Sequence, residues 1–227
     1  MMIKYFTPLL LLWCSMLVAS SADAQSLNSL SAHSPLSELI TLQQAAPSLS
    51  TEALHAGWNA YKQAQHNGLV HNDILTIIDY DQPSSAKRLW IFDMKEKTLL
   101  FHTYVSHGRG SGTLFAEDFS NQPQSYATSV GVYLTAETYR GKHGYSMRLD
   151  GLENGFNDNA RKRYIVLHGA DYAQPHVIKQ TGRLGLSLGC PALDPRYAMP
   201  IINTIKSGSI LVMYGTDPRW LRHSRYI

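Results

Sequence analysis

The spacing of apolar residues divides the chain into a helical first part and a strand-rich second part. In the first part, Leu54, Trp58 and Tyr61 recur every three to four residues, as on one face of a helix. Ser50 precedes this pattern as a helix N-cap, and an Asn-Gly pair follows it as a stop signal. A shorter helix is predicted over residues 35–44.

From residue 74 onward the apolar residues alternate with polar ones, and β-branched and aromatic side chains become frequent. Alternation with a period of two is typical of strands that bury one face. The predicted strands are residues 74–79, 88–94, 98–106, 131–138, 145–150, 164–168 and 209–214. The short polar connection between the second and third strands predicts a hairpin. We therefore expect a mainly β domain.

Two further segments break the alternation. Residues 108–125 are rich in Gly, Ser and Asn, and they predict a long loop of the kind that often binds ligands or covers a site. Residues 195–206 predict a helix, because Asp194 suits the N-cap and Pro195 suits the first turn. Pro200 indicates either a kink in this helix or its true start.

The first residues have the pattern of a secretory signal peptide. Lys4 precedes an apolar run over residues 5–19, and Ala22 and Ala24 occupy the positions that a signal peptidase reads. We expect cleavage after Ala24, which would place the mature protein in the periplasm or at the cell wall. An uncleaved membrane anchor is the alternative, although the run is short for a membrane span.

Composition is consistent with a globular protein that has one substantial core. Of the 227 residues, 44% are hydrophobic and 16% are charged. We divide the chain into a signal peptide at 1–24, a leader with a helix at 25–72, and a main β-rich domain at 73–227. The net charge of +3 is mild, and no basic run is interleaved with aromatic residues, which argues against nucleic acid as a partner. No later stretch predicts stable membrane insertion after signal cleavage.

The cysteine count singles out one residue. The chain has two cysteines, and Cys14 is lost with the predicted signal peptide, so Cys190 is the only thiol of the mature protein. An unpaired thiol in an oxidising compartment requires an explanation. A buried inert cysteine and a covalent link between two copies are the structural alternatives to a reactive nucleophile, and the oligomeric state stays open.

The best candidate partner for this thiol is His168. Residues 164–167 predict a buried strand that delivers His168 to its C-terminal edge, and Gly169 leaves room there for a substrate backbone. Cysteine chemistry needs a base or an imidazolium within hydrogen-bond reach to generate the thiolate. A histidine at a strand end that is satisfied by backbone groups is the alternative.

The immediate neighbours of Cys190 are small. The backbone N–H groups of Gly189 and Cys190 are candidate donors to an oxyanion, whereas Pro191 has no N–H to offer. The other histidines are scattered. None of them, including His102 and His107, has the spacing of a zinc site.

Together these residues resemble the catalytic signature of the murein L,D-transpeptidases of the YkuD type. In that signature a His-Gly pair is followed by Ser/Thr-x-Gly-Cys, matched here by His168-Gly169 and residues 187–190. The Gly-Cys-Pro-Ala version is similar to one branch of the family, and the resemblance extends roughly over residues 74–214. It implies a β-sandwich of mixed sheets with peripheral helices, here with an N-terminal helical segment.

The resemblance also implies a reaction. Cys190 would attack a peptidoglycan tetrapeptide stem, release D-alanine with the help of His168, and pass the acyl group to an amine, which gives a 3-3 crosslink. No metal or organic cofactor is implied, and peptidoglycan stem peptides are the expected partners. An L,D-carboxypeptidase that uses water as the acceptor and a non-catalytic wall-binding module are the alternatives.

The chain departs from the commoner family pattern, which has a second His before Gly-Cys and an Arg or Asn shortly after it. Leu188 and Pro191-Ala192 occupy those places. Arg183 is expected to bind a substrate carboxylate instead, because a guanidinium suits that task, although a solvated loop charge is equally compatible. Arg148 and Arg163 are weaker candidates, since exposed strand residues or internal partners of Glu153 and Asp158 are the alternative. The predicted substrate-binding set is Arg183, Ser187, Gly169, Tyr145 and Arg148. Within it, Ser187 is expected to orient His168 or the loop.

Overall fold

The structure is a computed structural model that describes Met2 and residues 34–227. The predicted signal peptide lies almost wholly outside the described residues, and so does its cleavage site after Ala24. No helix within the described part of the chain has the length and apolar character needed to cross a membrane.

Two N-terminal helices form where the pattern predicts them. Helix α1 spans Pro35–Ala45, and helix α2 spans Thr51–His66. The Ser50 hydroxyl accepts a hydrogen bond from the N–H of Ala53 at 3.3 Å, which confirms the predicted N-cap. The apolar face of α2 packs on the sheet, so residues 51–66 are part of the domain core.

Eight strands follow, together with three more helices. The strands are β1 (Ile74–Asp79), β2 (Leu89–Asp93), β3 (Thr98–Thr103), β4 (Gly131–Gly141), β5 (Gly144–Gly151), β6 (Val166–Gly169), β7 (Ala192–Leu193) and β8 (Ile210–Tyr214). The helices are α3 (Pro175–Thr181), α4 (Pro195–Ile205) and α5 (Pro218–His223). The predicted hairpin of β2 and β3 is confirmed. Helix α4 starts at Pro195 and continues through Pro200.

The strands form one mixed sheet in the order β3-β2-β1-β8-β4-β5-β6-β7. The pairs β1–β8 and β6–β7 are parallel, and the other pairs are antiparallel. Ser106, just beyond β3, forms an isolated bridge with Ala192 of β7, so the sheet curls until its two ends meet. The predicted mainly β fold with mixed strands and peripheral helices is confirmed.

Both faces of the curled sheet are covered by apolar side chains. On one face, α1 and α2 pack against residues such as Trp90 and Val212. On the other face, α4 packs against residues such as Ile91 and Leu167. This double burial explains why β1 and β8 are buried along their whole length.

The prediction that a buried strand starts at residue 164 is wrong. Tyr164 has a φ of +57° and is 74% exposed, and β6 begins only at Val166. A left-handed backbone is incompatible with strand pairing, so the chain turns at Tyr164 before it enters the sheet. Strand β7 and helices α3 and α5 are additional to the predicted elements.

Candidate active site

Cys190 lies beside the start of β6. In the parallel pair of β6 and β7, His168 is opposite Ala192, and Cys190 precedes Ala192 by two residues. The Cys190 thiol accordingly reaches the start of β6, where it donates to the carbonyl oxygen of Tyr164 at an Sγ–O distance of 3.5 Å. The strand pair therefore brings the predicted nucleophile within two residues of the position opposite the predicted base.

The surroundings of the thiol favour its protonated form. Burial raises the pKa of Cys190, and the N–H of Val166 and the charge of Arg163 oppose that rise without cancelling it. Cys190 is partly exposed, so a reactant can still reach it. The resting side chain is thus a neutral thiol that donates a hydrogen bond to the Tyr164 carbonyl.

His168 is buried, and its ring orientation is defined. Its Nδ1 lies 2.9 Å from the carbonyl oxygen of Gly169, which can only accept, so Nδ1 carries the proton and Nε2 has a free lone pair in the neutral ring. Burial lowers the pKa of His168, and the nearby ring of His143 lowers it further. His143, in the turn between β4 and β5, stacks on His168 with the ring centroids 4.3 Å apart.

The thiol and the imidazole do not share a hydrogen bond in this resting structure. Sγ is directed to Tyr164, and among the described residues Gly169 is the hydrogen-bond partner of the His168 ring. The expected contact between the two side chains is therefore not formed here, and both groups are uncharged. Catalytic hydrogen bonds in unliganded sites are commonly long and tighten when substrate binds.

Ser187 fixes the turn that carries the thiol. Its hydroxyl donates to the carbonyl oxygen of Cys190 at 2.7 Å and accepts from the N–H of Gly189 at 3.1 Å. Its own N–H donates to the carbonyl oxygen of His107 at 2.9 Å. Ser187 thus orients the loop and does not touch His168. Its predicted place in the substrate-binding set stays a prediction, and in this structure the hydroxyl bonds within the turn.

The same bonds bear on the expected oxyanion donors. The N–H of Gly189 donates to the Ser187 hydroxyl in this structure, and the role of Gly189 as an oxyanion donor stays a prediction. The N–H of Cys190 has no acceptor within residues 34–227 and remains available. Gly189 has a φ of +120°, and a Cβ there would lie 2.8 Å from the carbonyl oxygen of Ala127. Glycine is therefore required for this close approach of two backbones.

Arg163 lies close enough to the thiol for its charge to lower the pKa of Cys190. Its Nη1 donates to the Ser120 carbonyl and the Ser129 hydroxyl, and its Nη2 donates to the Ser125 hydroxyl and the Ala127 carbonyl. These bonds tie the long predicted loop to the start of β6. The sequence patterns do not predict its closeness to Cys190. The one signal is its position shortly before the strand that carries His168.

The other two arginines have different surroundings. Arg183 donates from Nη1 to the carbonyl oxygen of its neighbour Leu184 at 2.8 Å, and it retains further N–H groups. Arg148 forms an ion pair with Glu137 at 3.2 Å and lies over the ring of Tyr139, so it is occupied by its own hairpin. The prediction that Arg148 binds substrate is not supported, since its charge already has a partner.

Gly169 and Tyr145 line a groove of about 510 Å³ next to His168. The groove runs between the β4–β5 turn, which contributes His143, and the segment after β6, which contributes Asp171. Gly169 also contacts the start of α4, because a Cβ there would lie 3.1 Å from the Cβ of Ala198. Gly169 therefore allows close packing of β6 on α4, and its role in admitting a substrate backbone stays a prediction.

Arg88 is a buried cation that supports the turn carrying Cys190 through His107. Arg88 is fully buried, and its Nη2 donates to Nδ1 of His107 at 2.7 Å, while Nε and Nη2 both donate to the carbonyl of Val105. His107 is therefore neutral, and burial next to Arg88 lowers its pKa to about 4. Because the His107 carbonyl holds Ser187, this pair anchors the Cys190 turn to β2 and its flanking segments.

No group of three or more His, Cys, Asp or Glu side chains within residues 34–227 is arranged to hold a metal ion. The reactive groups of the site are the thiol, the imidazole and the backbone around them.

Comparison with solved structures returns L,D-transpeptidases. One from Stackebrandtia nassauensis is 16% identical, with a TM-score of 0.37 and an alignment that covers 78% of this chain and 76% of that one. One from Mycobacterium smegmatis is 12% identical, with a TM-score of 0.37 and coverages of 64% and 68%. The avibactam carbamoyl enzyme of Ldtfm is 15% identical, with a TM-score of 0.36 and coverages of 62% and 48%.

The chain spans about half the length of that last structure and 56% of LdtMt1 in complex with imipenem. No curated protein matches the chain. A family model described as L,D-transpeptidase catalytic domain matches residues 45–214, which include His168 and Cys190. Because this match covers well over half of the sequence, the chain belongs to the L,D-transpeptidase catalytic domain family.

Proposed function

We propose that this protein is a peptidoglycan L,D-transpeptidase in which Cys190 is the nucleophile and His168 is the acid and base. The observation that carries the proposal is the pairing of β6 with β7. In that pairing Cys190 lies two residues before the partner of His168, whose Nε2 is free, and both residues fall in the region that the family model matches. The neutral thiol carries the proton that acyl transfer has to move, and the neutral imidazole has a free Nε2 that can accept it.

In the first step, Nε2 of His168 takes the thiol proton, and Sγ bonds to the carbonyl carbon of the third residue of a tetrapeptide stem. The C–N bond to the terminal D-alanine then breaks, and the imidazolium returns its proton to the departing amine. The products are a thioester on Cys190 and free D-alanine. The lowered pKa of His168 favours this return, because a weakly basic imidazole gives up its proton readily.

In the second step, an amine of a neighbouring stem attacks the thioester and loses a proton to His168. The C–S bond breaks, and the thiolate recovers the proton, which regenerates the resting thiol. The new amide is a 3-3 crosslink. If water replaces the amine, the same steps make the enzyme an L,D-carboxypeptidase.

The developing oxyanion needs a donor close to Sγ. The free N–H of Cys190 is suited to this role, because it belongs to the attacking residue and is held by the turn that Ser187 closes. Arg183 retains unpaired N–H groups for a stem carboxylate, whereas Arg163 uses both terminal nitrogens within the protein.

The predicted signal peptide supports action outside the cytoplasm, in the periplasm or at the cell wall, where peptidoglycan is found. Peptidoglycan stem peptides are the proposed partners. This part of the proposal can be tested separately, by locating the full-length protein in fractionated cells and determining its N-terminus. A mature chain that begins at Gln25 is the expected result.

Mass spectrometry of purified disaccharide-tetrapeptide after incubation with the protein tests the reaction. Crosslinked dimers that have lost one D-alanine indicate transpeptidation, and tripeptide monomers indicate carboxypeptidase action. Cys190→Ala and His168→Gln are expected to abolish both products. Unchanged substrate with the wild-type protein would contradict the proposal, and wall binding that survives Cys190→Ala would then indicate a binding module.

A further inference from the structure

Tyr164 has a backbone conformation that disfavours its own side chain. Its φ of +57° lies in the left-handed region, where the Cβ of an L-residue is crowded by its own backbone and glycine is not. The ring is nevertheless 74% exposed. An exposed ring buries little surface, so folding stability does not account for a tyrosine at this position.

The location of this residue suggests another reason. The carbonyl oxygen of Tyr164 accepts the hydrogen bond of the Cys190 thiol at 3.5 Å. Its neighbours on both sides are anchored, Arg163 by hydrogen bonds to the long loop and Ile165 by burial in the core. The backbone reversal lets both neighbours face inward, while the side chain between them is exposed to solvent on the residue whose carbonyl accepts the thiol hydrogen bond.

Two other exposed apolar side chains flank the same turn. Leu188, two residues before Cys190, is 58% exposed. Tyr126 is also left-handed, at a φ of +55°, and the guanidinium of Arg109 lies 4.2 Å from its ring centroid. Strained residues and exposed rings that gather at one place are typical of binding sites. Tyr164 and Leu188 are thus exposed apolar residues on the two segments that meet at the thiol.

We propose that Tyr164 is a substrate-binding residue whose ring packs against the uncharged flank of the donor stem at the bond that Cys190 attacks. This proposal rests on the proposed function, because it assumes a stem peptide at Cys190. The ligand class is a short peptide whose alanine methyl and backbone offer an apolar surface beside the reacting carbonyl. An aromatic ring provides a large, rigid contact area for such a surface.

The test uses Tyr164→Gly, which removes both the ring and the backbone strain, and Tyr164→Phe, which keeps the ring. Ser207→Gly is the matched control, because Ser207 is also left-handed, with a φ of +70°, but follows the far end of α4. D-Alanine release is measured as kcat/KM on free tetrapeptide and on disaccharide-tetrapeptide. Urea unfolding and iodoacetamide labelling of Cys190 are measured on the same samples.

Tyr164→Gly is expected to keep or raise the urea midpoint while lowering kcat/KM on both substrates by about tenfold. Tyr164→Phe should stay close to wild type, and Ser207→Gly should match the stability change of Tyr164→Gly without losing activity. The labelling rate of Cys190 should persist in all three variants, which separates a lost substrate contact from a damaged thiol.

Wild-type kcat/KM in Tyr164→Gly would overturn the proposal while leaving the proposed function intact. A loss seen only with the disaccharide substrate would overturn it in favour of a ring that contacts sugar. If wild-type protein releases no D-alanine from either substrate, the proposed function fails, and the assignment of Tyr164 fails with it.

Discussion

The hydroxyl of Ser187 donates to the carbonyl oxygen of Cys190 at 2.7 Å while it accepts from the N–H of Gly189. This one side chain therefore closes the turn on which the proposed nucleophile sits. The backbone of His107 holds that turn to the rest of the domain.

Replacing Ser187 is expected to impair the turn. Ser187→Ala removes both side-chain hydrogen bonds and should lower the free energy of unfolding by about 1–3 kcal/mol, with a larger loss of activity. Ser187→Thr keeps the hydroxyl and should restore most of the activity. Urea unfolding and D-alanine release measure the two effects, and equal activity of the Ala and Thr variants would contradict this role.

Gly189 cannot accept a side chain. In Gly189→Ala the new Cβ would meet the Ala127 carbonyl, at 2.8 Å, in a backbone that disfavours L-residues. We expect loss of activity and a clear drop in melting temperature. Gly182→Ala is the control, because Gly182 has a φ of +79° but no atom within 4 Å of the position that a Cβ would take. A comparable loss in both variants would show that φ alone, and not the steric contact, matters.

Arg163 and Arg183 should differ in their effects on stability. Arg163→Ala leaves the Ala127 carbonyl without its donor and the Ser120 carbonyl with only the Ser129 hydroxyl, and it should cost about 2–4 kcal/mol of unfolding free energy. It should also raise the pKa of Cys190, because the charge of Arg163 lowers it. Arg183→Ala removes a contact to an adjacent residue and should cost less than about 1 kcal/mol. The opposite ranking in urea unfolding would refute this assignment.

The resting thiol should respond to pH as a neutral group. Because burial raises the pKa of Cys190, the rate of iodoacetamide labelling should increase with pH and reach half of its maximum above the ordinary range for cysteine. Labelling followed by intact-protein mass from about pH 6 to about pH 10 provides the profile. A plateau already at neutral pH would indicate a resting thiolate–imidazolium pair instead.

His107 should make the protein sensitive to acid. Its pKa is lowered from 6.5 to about 4 in the folded state, so the unfolded chain binds the proton first as the pH falls. At pH values above the histidine pKa of the unfolded chain, His107 causes no loss of unfolding free energy. Between that value and about 4, the unfolding free energy should decrease by up to about 3 kcal/mol from this group.

The measurement is urea unfolding at a series of pH values. His107→Gln cannot titrate and should flatten this part of the pH dependence, although it lowers stability at neutral pH. His66→Gln, at the exposed end of α2, should retain the wild-type slope. An unchanged slope in His107→Gln would assign the acid sensitivity to other groups.

Much of the fold is predicted by the local pattern of apolar and polar residues, because the buried strands have recognisable apolar patterns. The missed helices α3 and α5 have only seven and six residues, and such short helices depend on tertiary contacts more than on their own sequence. The predicted start of β6 is wrong because an aromatic residue normally favours a strand, whereas Tyr164 adopts a left-handed turn.

The candidate site is less accessible to prediction than the fold. Cys190 and His168 stand out by chemistry and by motif. The role of Arg163 depends on bonds to residues 34 to 43 positions away, and no spacing rule reports such contacts. Ser187 is recognisable as part of the motif, but its bonding to the Cys190 carbonyl is a property of the folded turn.

The curl of the sheet has a consequence for folding. Ser106 and Gly108 bridge Ala192 and Ser187, so the turn that carries Cys190 lies where the two ends of the sheet meet. These contacts join segments about 80 residues apart, and contacts of such high sequence separation generally form late because closing a long chain loop costs entropy. A partly folded chain would carry the thiol without the geometry around it. Acyl transfer would then begin only once the whole domain has folded, which guards against premature reaction by the nascent protein.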